Sequence, residues 1–146
     1  MSRPTLAVID LKALRANFAL AQSLTPGAST IPMVKANAYG HGMIEVSRAL
    51  SESAPAFGVA SIDEALVLRE AGIKQPILLL EGTFSCDEVG VAADNNFILM
   101  VENSAQKDAI LNASISRPVS VWLGIDTGMH RLGFEPHEAT QAYLAL

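Results

Sequence analysis

A single cysteine, Cys86, stands among 146 residues, so the chain cannot close a disulfide within itself. Its setting, GTFSCDEVG, has no metal-ligand spacing, and Cys86 reads as a small, semi-buried residue. Basic residues are scarce: 10 Lys and Arg stand against 15 Asp and Glu, for a net charge of −5. Scattered at that density they cannot build the clustered cationic surface that phosphate backbones need, which excludes nucleic acid as a partner. No apolar run approaches the ~20 residues of a membrane span. In MSRPTLAVIDLKALRANF, Asp10, Lys12 and Arg15 interrupt any apolar core and no small-residue cleavage site follows, so no secretory leader is expected. The expectation is a soluble, cytoplasmic protein. No Gly-x-Gly-x-x-Gly follows the first strand, which leaves a dinucleotide-binding unit without support.

What is present is apolar and alternating. Half the residues are hydrophobic and 17% are charged, enough for one ordinary domain with a core. TLAVID (5–10) reads as a strand, and LKALRANFALAQSL (11–24) as a helix, with Leu11, Leu14, Phe18, Ala21 and Leu24 three or four apart. Pro26-Gly27 closes it. The strands STIPMVK, AFGVA, PILLLEG, FILMVEN and PVSVWLGID then alternate with helices starting at Met43, Ile62, Ser85, Ser104 and Pro136. Ser61 is the expected cap of IDEALVLREAG, with Glu64 at the capping-box position and Gly72 as the stop. Near-continuous apolar strands separated by helices imply a parallel sheet covered on both faces, either doubly wound or part of a (β/α)8 barrel. A closed barrel takes about 250 residues. The expected fold is therefore α/β, the N-terminal five βα units of an incomplete (β/α)8 TIM-type barrel over residues 1–146. Its open strands would be apolar edges that invite another chain.

The chemistry gathers in STIPMVKANAYGHGMIEV (29–46). Lys35 ends an apolar strand, where (β/α)8 enzymes keep their reactive groups. A lysine held partly desolvated there is a candidate Schiff-base former; the bland alternative is an amine that snorkels to solvent beside a Gly-rich loop. Tyr39 supplies a hydroxyl at the same rim, and Gly40 and Gly42 permit a tight turn into the next helix. His41, His130 and His137 have no convergent carboxylates and read as structural, and no metal site is expected. Asp126 and Thr127 read as setting a turn around Gly128, Asn37 as bonding its loop backbone, and Trp122 as core.

MVKANAYGHG resembles, residue for residue, the pyridoxal-phosphate attachment motif of bacterial alanine racemases. AVIDLKALRANF is similar to that family's opening segment, PILLLEG to its third barrel strand, and DTGMHRLGF (126–134) to a second diagnostic segment. The likeness runs in the family's order over essentially the whole chain. It implies that Lys35 holds pyridoxal 5'-phosphate through a Schiff base and acts as base on the α-hydrogen of D-alanine. It also implies that Tyr39 bonds the cofactor phosphate, and that Arg131 reaches the phenolic oxygen and orients the substrate carboxylate. The implied reaction is the interconversion of L- and D-alanine for peptidoglycan, by a homodimer.

Two departures accompany the resemblance. Many family members carry, two residues ahead of the aspartate, a lysine that is usually carbamylated and steadies the arginine; Gly124 stands there, so another anion or water must take its place. The family enzyme is also much longer, and a partner subunit donates the tyrosine for the opposite face, so little racemase activity is expected of this chain alone. The first strand, which packs on the C-terminal domain in that family, would lack its partner. Two alternatives stand beside this: a self-associating fragment without catalysis, and a related pyridoxal-phosphate barrel acting on another amino acid. For the incomplete barrel, pairing with a copy of itself is the preferred arrangement.

Overall fold

The structure, a computed structural model, describes residues 4–146, so the first three residues of the segment read for a leader lie outside it. In chain order the elements are α1 (Leu11–Ser23), α2 (Lys35–Tyr39), α3 (Met43–Leu50), β1 (Phe57–Val59), α4 (Ile62–Glu70), β2 (Ile77–Leu79), α5 (Asp87–Asp94), β3 (Phe97–Val101), α6 (Ser104–Asn112), β4 (Ser120–Leu123) and α7 (Pro136–Ala145). Their ends follow local chemistry. Asp10 caps α1 by accepting from the Lys12 and Ala13 amides at 2.9 and 3.0 Å. Gly72, at φ +85°, ends α4 with its N–H on the Arg69 carbonyl. Pro136 sits in the first turn of α7, where its missing N–H costs nothing.

The four strands are parallel and ordered β1-β2-β3-β4, each beside its predecessor. A doubly wound sheet would reverse its order at a switch point. In-order growth with a helix after each strand is instead the progression of a (β/α)8 barrel, here an open arc. Phe57, Ile77 and Phe97 lie side by side across three strands and are all fully buried. Each contributes about 1.5–3 kcal/mol by leaving water. Leu68 of α4 and Ala92 of α5 join this core, while Val101, Phe134, Ala139 and Ala142 form a second, smaller cluster under α7. Arg69 ties down the opposite rim: Nε donates to the Asn95 carbonyl at 3.1 Å and Nη1 to those of Ile73 and Gln75 at 2.6 and 2.9 Å. Its guanidinium lies 5.3 Å from the centre of the Phe97 ring, and burial lowers its pKa. No helix among the described residues is long and apolar enough to cross a membrane.

Several elements differ from expectation. TLAVID forms no strand; Leu6 and Val8 are 81% and 80% exposed. A strand exists only by pairing, and no strand edge runs beside these residues. STIPMVK shrinks to one parallel bridge, Met33 to Gly58, with the Val34 amide donating to the Gly58 carbonyl and the Gly58 amide to Pro32. Pro32 has no N–H to extend that ladder. Trp122 is 45% exposed, not core, because β4 lies at the open side of the sheet. Cys86 is exposed.

Candidate active site

Val34 is fully buried, and Lys35 follows it at the carboxyl end of the bridge to β1. The backbone then does something the sequence does not announce. Ala36, Asn37, Ala38 and Tyr39 take φ values of 50°, 55°, 53° and 53°, so α2 winds left-handed. For L-residues that costs roughly 1–2 kcal/mol each, with Asn the most tolerant. The turn persists because it is bonded from several sides. The Ala38 amide donates to the Val34 carbonyl at 2.8 Å, and the Gly42 amide to Asn37 at 3.0 Å. Asn37 Oδ1 accepts from the Met43 amide at 2.8 Å, as expected of that side chain, and so starts α3. His41 Nδ1 lies 3.0 Å from the Ala38 carbonyl. Gly40 and Gly42, at φ +87° and +91°, complete the exit.

Ser61 occupies the cap position of α4, yet its side chain makes no capping bond. Glu64 reaches past it instead. Its Oε2 accepts from the Ala60 amide at 2.8 Å and its Oε1 from the Ala36 amide at 2.7 Å.

The second segment begins where β4 ends. The Asp126 amide donates to the Phe134 carbonyl and the Phe134 amide to Gly124, both at 2.9 Å, closing a loop. Asp126 Oδ1 accepts from the Gly128 and His130 amides at 2.9 and 3.0 Å, and Oδ2 lies 3.0 Å from His130 Nδ1. Those two amides, with His130, hold the Asp126 carboxyl below its ordinary pKa. The turn around Gly128 is thus set by Asp126, and it delivers Arg131 to the rim.

There the two segments meet. Lys35, Arg131, Glu81 and Glu102 line one cavity of about 440 Å³, with Leu80, Met100 and Leu132 as its apolar wall. Tyr39 is not in that lining. It is 62% exposed and borders a separate groove with Met33, Pro32 and His41. Among the described residues no carboxylate lies within ion-pair distance of Lys35 or Arg131, and no three metal-ligating side chains converge. Burial pushes the Glu102 carboxyl above its ordinary pKa; Arg131 pulls it back and Glu81 pushes it further up. Gln106 stitches the two acidic positions together, its Nε2 donating to the Glu81 carbonyl at 2.7 Å and its Oε1 accepting from the Glu102 amide at 2.9 Å.

Gly124 explains part of this layout. A Cβ there would lie 2.9 Å from Glu102 Cγ, so the Glu102 stem fills the room that a side chain at 124 would need. The sequence reading passed over Glu81 and Glu102, although both end apolar strands just as Lys35 does. The same signal, a charged residue at a strand's carboxyl end, would have found them.

The family model "Alanine racemase, N-terminal domain" matches residues 9–146. The alanine racemase of Pseudomonas syringae is 46% identical over 144 residues, covering 99% of this chain and 40% of its own length. Of solved structures, the biosynthetic alanine racemase from Pseudomonas aeruginosa superposes with a TM-score of 0.95 at 41% identity, over 99% of this chain and 40% of that one. The histidine racemase from Leuconostoc mesenteroides superposes at 0.83 with 30% identity, over 94% and 38%. The chain thus spans about 40% of the length of the curated relatives it matches.

Proposed function

This chain belongs to the alanine racemase N-terminal domain family, and we propose that it carries the cofactor lysine of a pyridoxal 5'-phosphate-dependent racemase that interconverts L- and D-alanine. One observation carries the reading: the Lys35 amine and the Arg131 guanidinium, remote in sequence, line a single cavity at the carboxyl ends of the parallel strands. The lining suits the cofactor. An amine without an acidic partner is available for an aldehyde, Arg131 offers a cation for anionic oxygens, and Leu80, Met100 and Leu132 offer apolar contact for a flat ring. The cofactor, when bound, spreads the negative charge left by α-hydrogen removal into its ring.

The chain's own residues do the rest. Lys35 would hold the cofactor through its amine, and that amine would be the proton acceptor for the α-hydrogen of D-alanine on its face. Arg131, on the same cavity, would supply the cation for the cofactor's phenolic oxygen and for the substrate carboxylate. Tyr39 borders the separate groove beside Met33 and His41, so its exposed ring would have to swing toward the cavity for its hydroxyl to bond the phosphate. Gly124 makes room for Glu102, whose carboxylate supplies the anionic field on Arg131. Racemisation requires a proton acceptor on the opposite face as well; in the longer relatives a partner subunit of a cytoplasmic homodimer would provide it. The D-alanine formed would serve cell-wall peptidoglycan.

The test is attachment. The purified chain, incubated with pyridoxal 5'-phosphate and reduced with borohydride, is expected to carry one stoichiometric adduct on Lys35 by peptide mass spectrometry, and none there in Lys35→Ala. Weak adducts scattered over Lys12, Lys74 and Lys107 would sink the reading. Racemisation of alanine by this chain alone is expected to be slight. A second reading, a racemase for another amino acid, is favoured by the superposition on a histidine racemase. Competition of alanine against histidine for displacing Lys35 from the cofactor separates the two.

A further inference from the structure

We infer that Glu64 is a positioning residue for Lys35: its carboxylate clamps the left-handed turn that presents the amine to the cavity. The inference rests on the cofactor-lysine reading for its significance, and on geometry for its content. Four consecutive non-glycine residues after Lys35 stand at positive φ, a conformation that L side chains oppose and that persists only when neighbours over-determine it. Most bonds to the turn come from inside residues 34–43 and would move with it. Glu64 is different. It sits on α4, and it grips the amide of Ala36, the first left-handed residue and the one joined directly to Lys35, at 2.7 Å.

The other oxygen of the same carboxylate accepts from Ala60 at the end of β1, at 2.8 Å. One side chain therefore locks the turn to the strand that Met33 bridges and to the helix that follows that strand. A capping box would have spent Glu64 on Ser61 within its own helix; here it joins two βα units across the site's rim. The bonds are of the charge-assisted kind, short and demanding two acceptor oxygens. Glu64→Gln offers a single acceptor oxygen and turns an N–H toward the second amide, donor against donor.

The experiment uses the 146-residue chain, with amide hydrogen exchange at position 36 and the share of pyridoxal 5'-phosphate adduct on Lys35 relative to Lys12, Lys74 and Lys107. In Glu64→Gln the amide of position 36 is expected to exchange about tenfold faster or more, while core amides such as Leu68 and Leu79 keep their protection. The Lys35 share of adduct falls in parallel. Adding Ala36→Gly to Glu64→Gln is expected to recover much of that share, because glycine takes φ near +50° without the Cβ penalty. A helix-entry role for Glu64 would not be rescued in this way. Asp10→Ala, which removes the cap of α1, serves as a destabilised control and leaves both readouts unchanged.

Unaltered exchange at position 36 in Glu64→Gln overturns the inference. So does a loss of Lys35 labelling that Ala36→Gly leaves unrepaired. If the unmutated chain shows no preference for Lys35, the cofactor reading falls. The exchange at position 36 still decides whether Glu64 holds the turn.

Discussion

Gly124 and Glu102 divide a single pocket of space between them. A methyl group at 124 would press on Glu102 Cγ from 2.9 Å, closer than packed carbons tolerate. Gly124→Ala is therefore expected to cost about 1 kcal/mol, and to cost nothing once Glu102 is shortened to Ala. A double-mutant cycle by urea denaturation measures that coupling; additive effects would count against the shared space. Protonation of Glu102 tests the same contact electrically. Its folded pKa lies above its ordinary value, first through burial, with Arg131 opposing and Glu81 assisting. Between the ordinary and the raised value the folded chain binds more protons than the unfolded one, so this group's contribution to stability falls as pH rises through that window. Arg131→Met removes the opposing influence, and carboxyl carbon NMR should then find the Glu102 midpoint displaced further upward.

At the scale of elements, Arg69 does for one rim what Glu64 and Gln106 do for the other. It leaves α4 to bond the carbonyls of Ile73, Gln75 and Asn95, in the loops that lead into β2 and β3. Arg69→Lys keeps the charge but loses the planar fork and the stacking on Phe97, and is expected to lower stability by about 2 kcal/mol. Thermal melting reads this directly; an unchanged midpoint would remove Arg69 as a staple. The same scale separates what the sequence could disclose from what it could not. Helix limits were legible wherever a residue enforces them through its own backbone, as Pro136 and Gly72 do. The strand at residues 5–10 was not, because alternating apolar residues express a readiness to pair and say nothing of whether an edge is there. The left-handed path of Ala36–Tyr39 was hidden more deeply. Only Asn37 leans that way by itself; the rest is imposed by bonds, one of them from Glu64 far along the chain. Of the residues singled out for the site, Lys35 and Arg131 come together on one cavity while Tyr39 faces its neighbour, a distinction that spacing in sequence does not carry.

The molecule as a whole is an unclosed arc. On its open side β4 alternates exposed and half-buried residues, and Trp122 presents apolar surface there. Unpaired main-chain groups beside apolar side chains are a template for a further strand. The chain is accordingly expected to self-associate, with sedimentation velocity showing mass that rises with concentration and Trp122→Lys shifting it back toward the monomer. A monomer at every concentration reached would oppose this. The in-order sheet also bears on how the chain acquires its shape. Phe57 pairs with Ile77 and Ile77 with Phe97, and Ile98 pairs with Ser120, so every new strand meets one made just before it. The entropy of closing each loop is then nearly the same from one step to the next, and no step waits for a distant segment. A polypeptide built this way can assemble vectorially as it leaves the ribosome, each βα unit annealing to a finished edge. The Lys35 turn, clamped from α4, would be set before the segment bearing Arg131 has been synthesised.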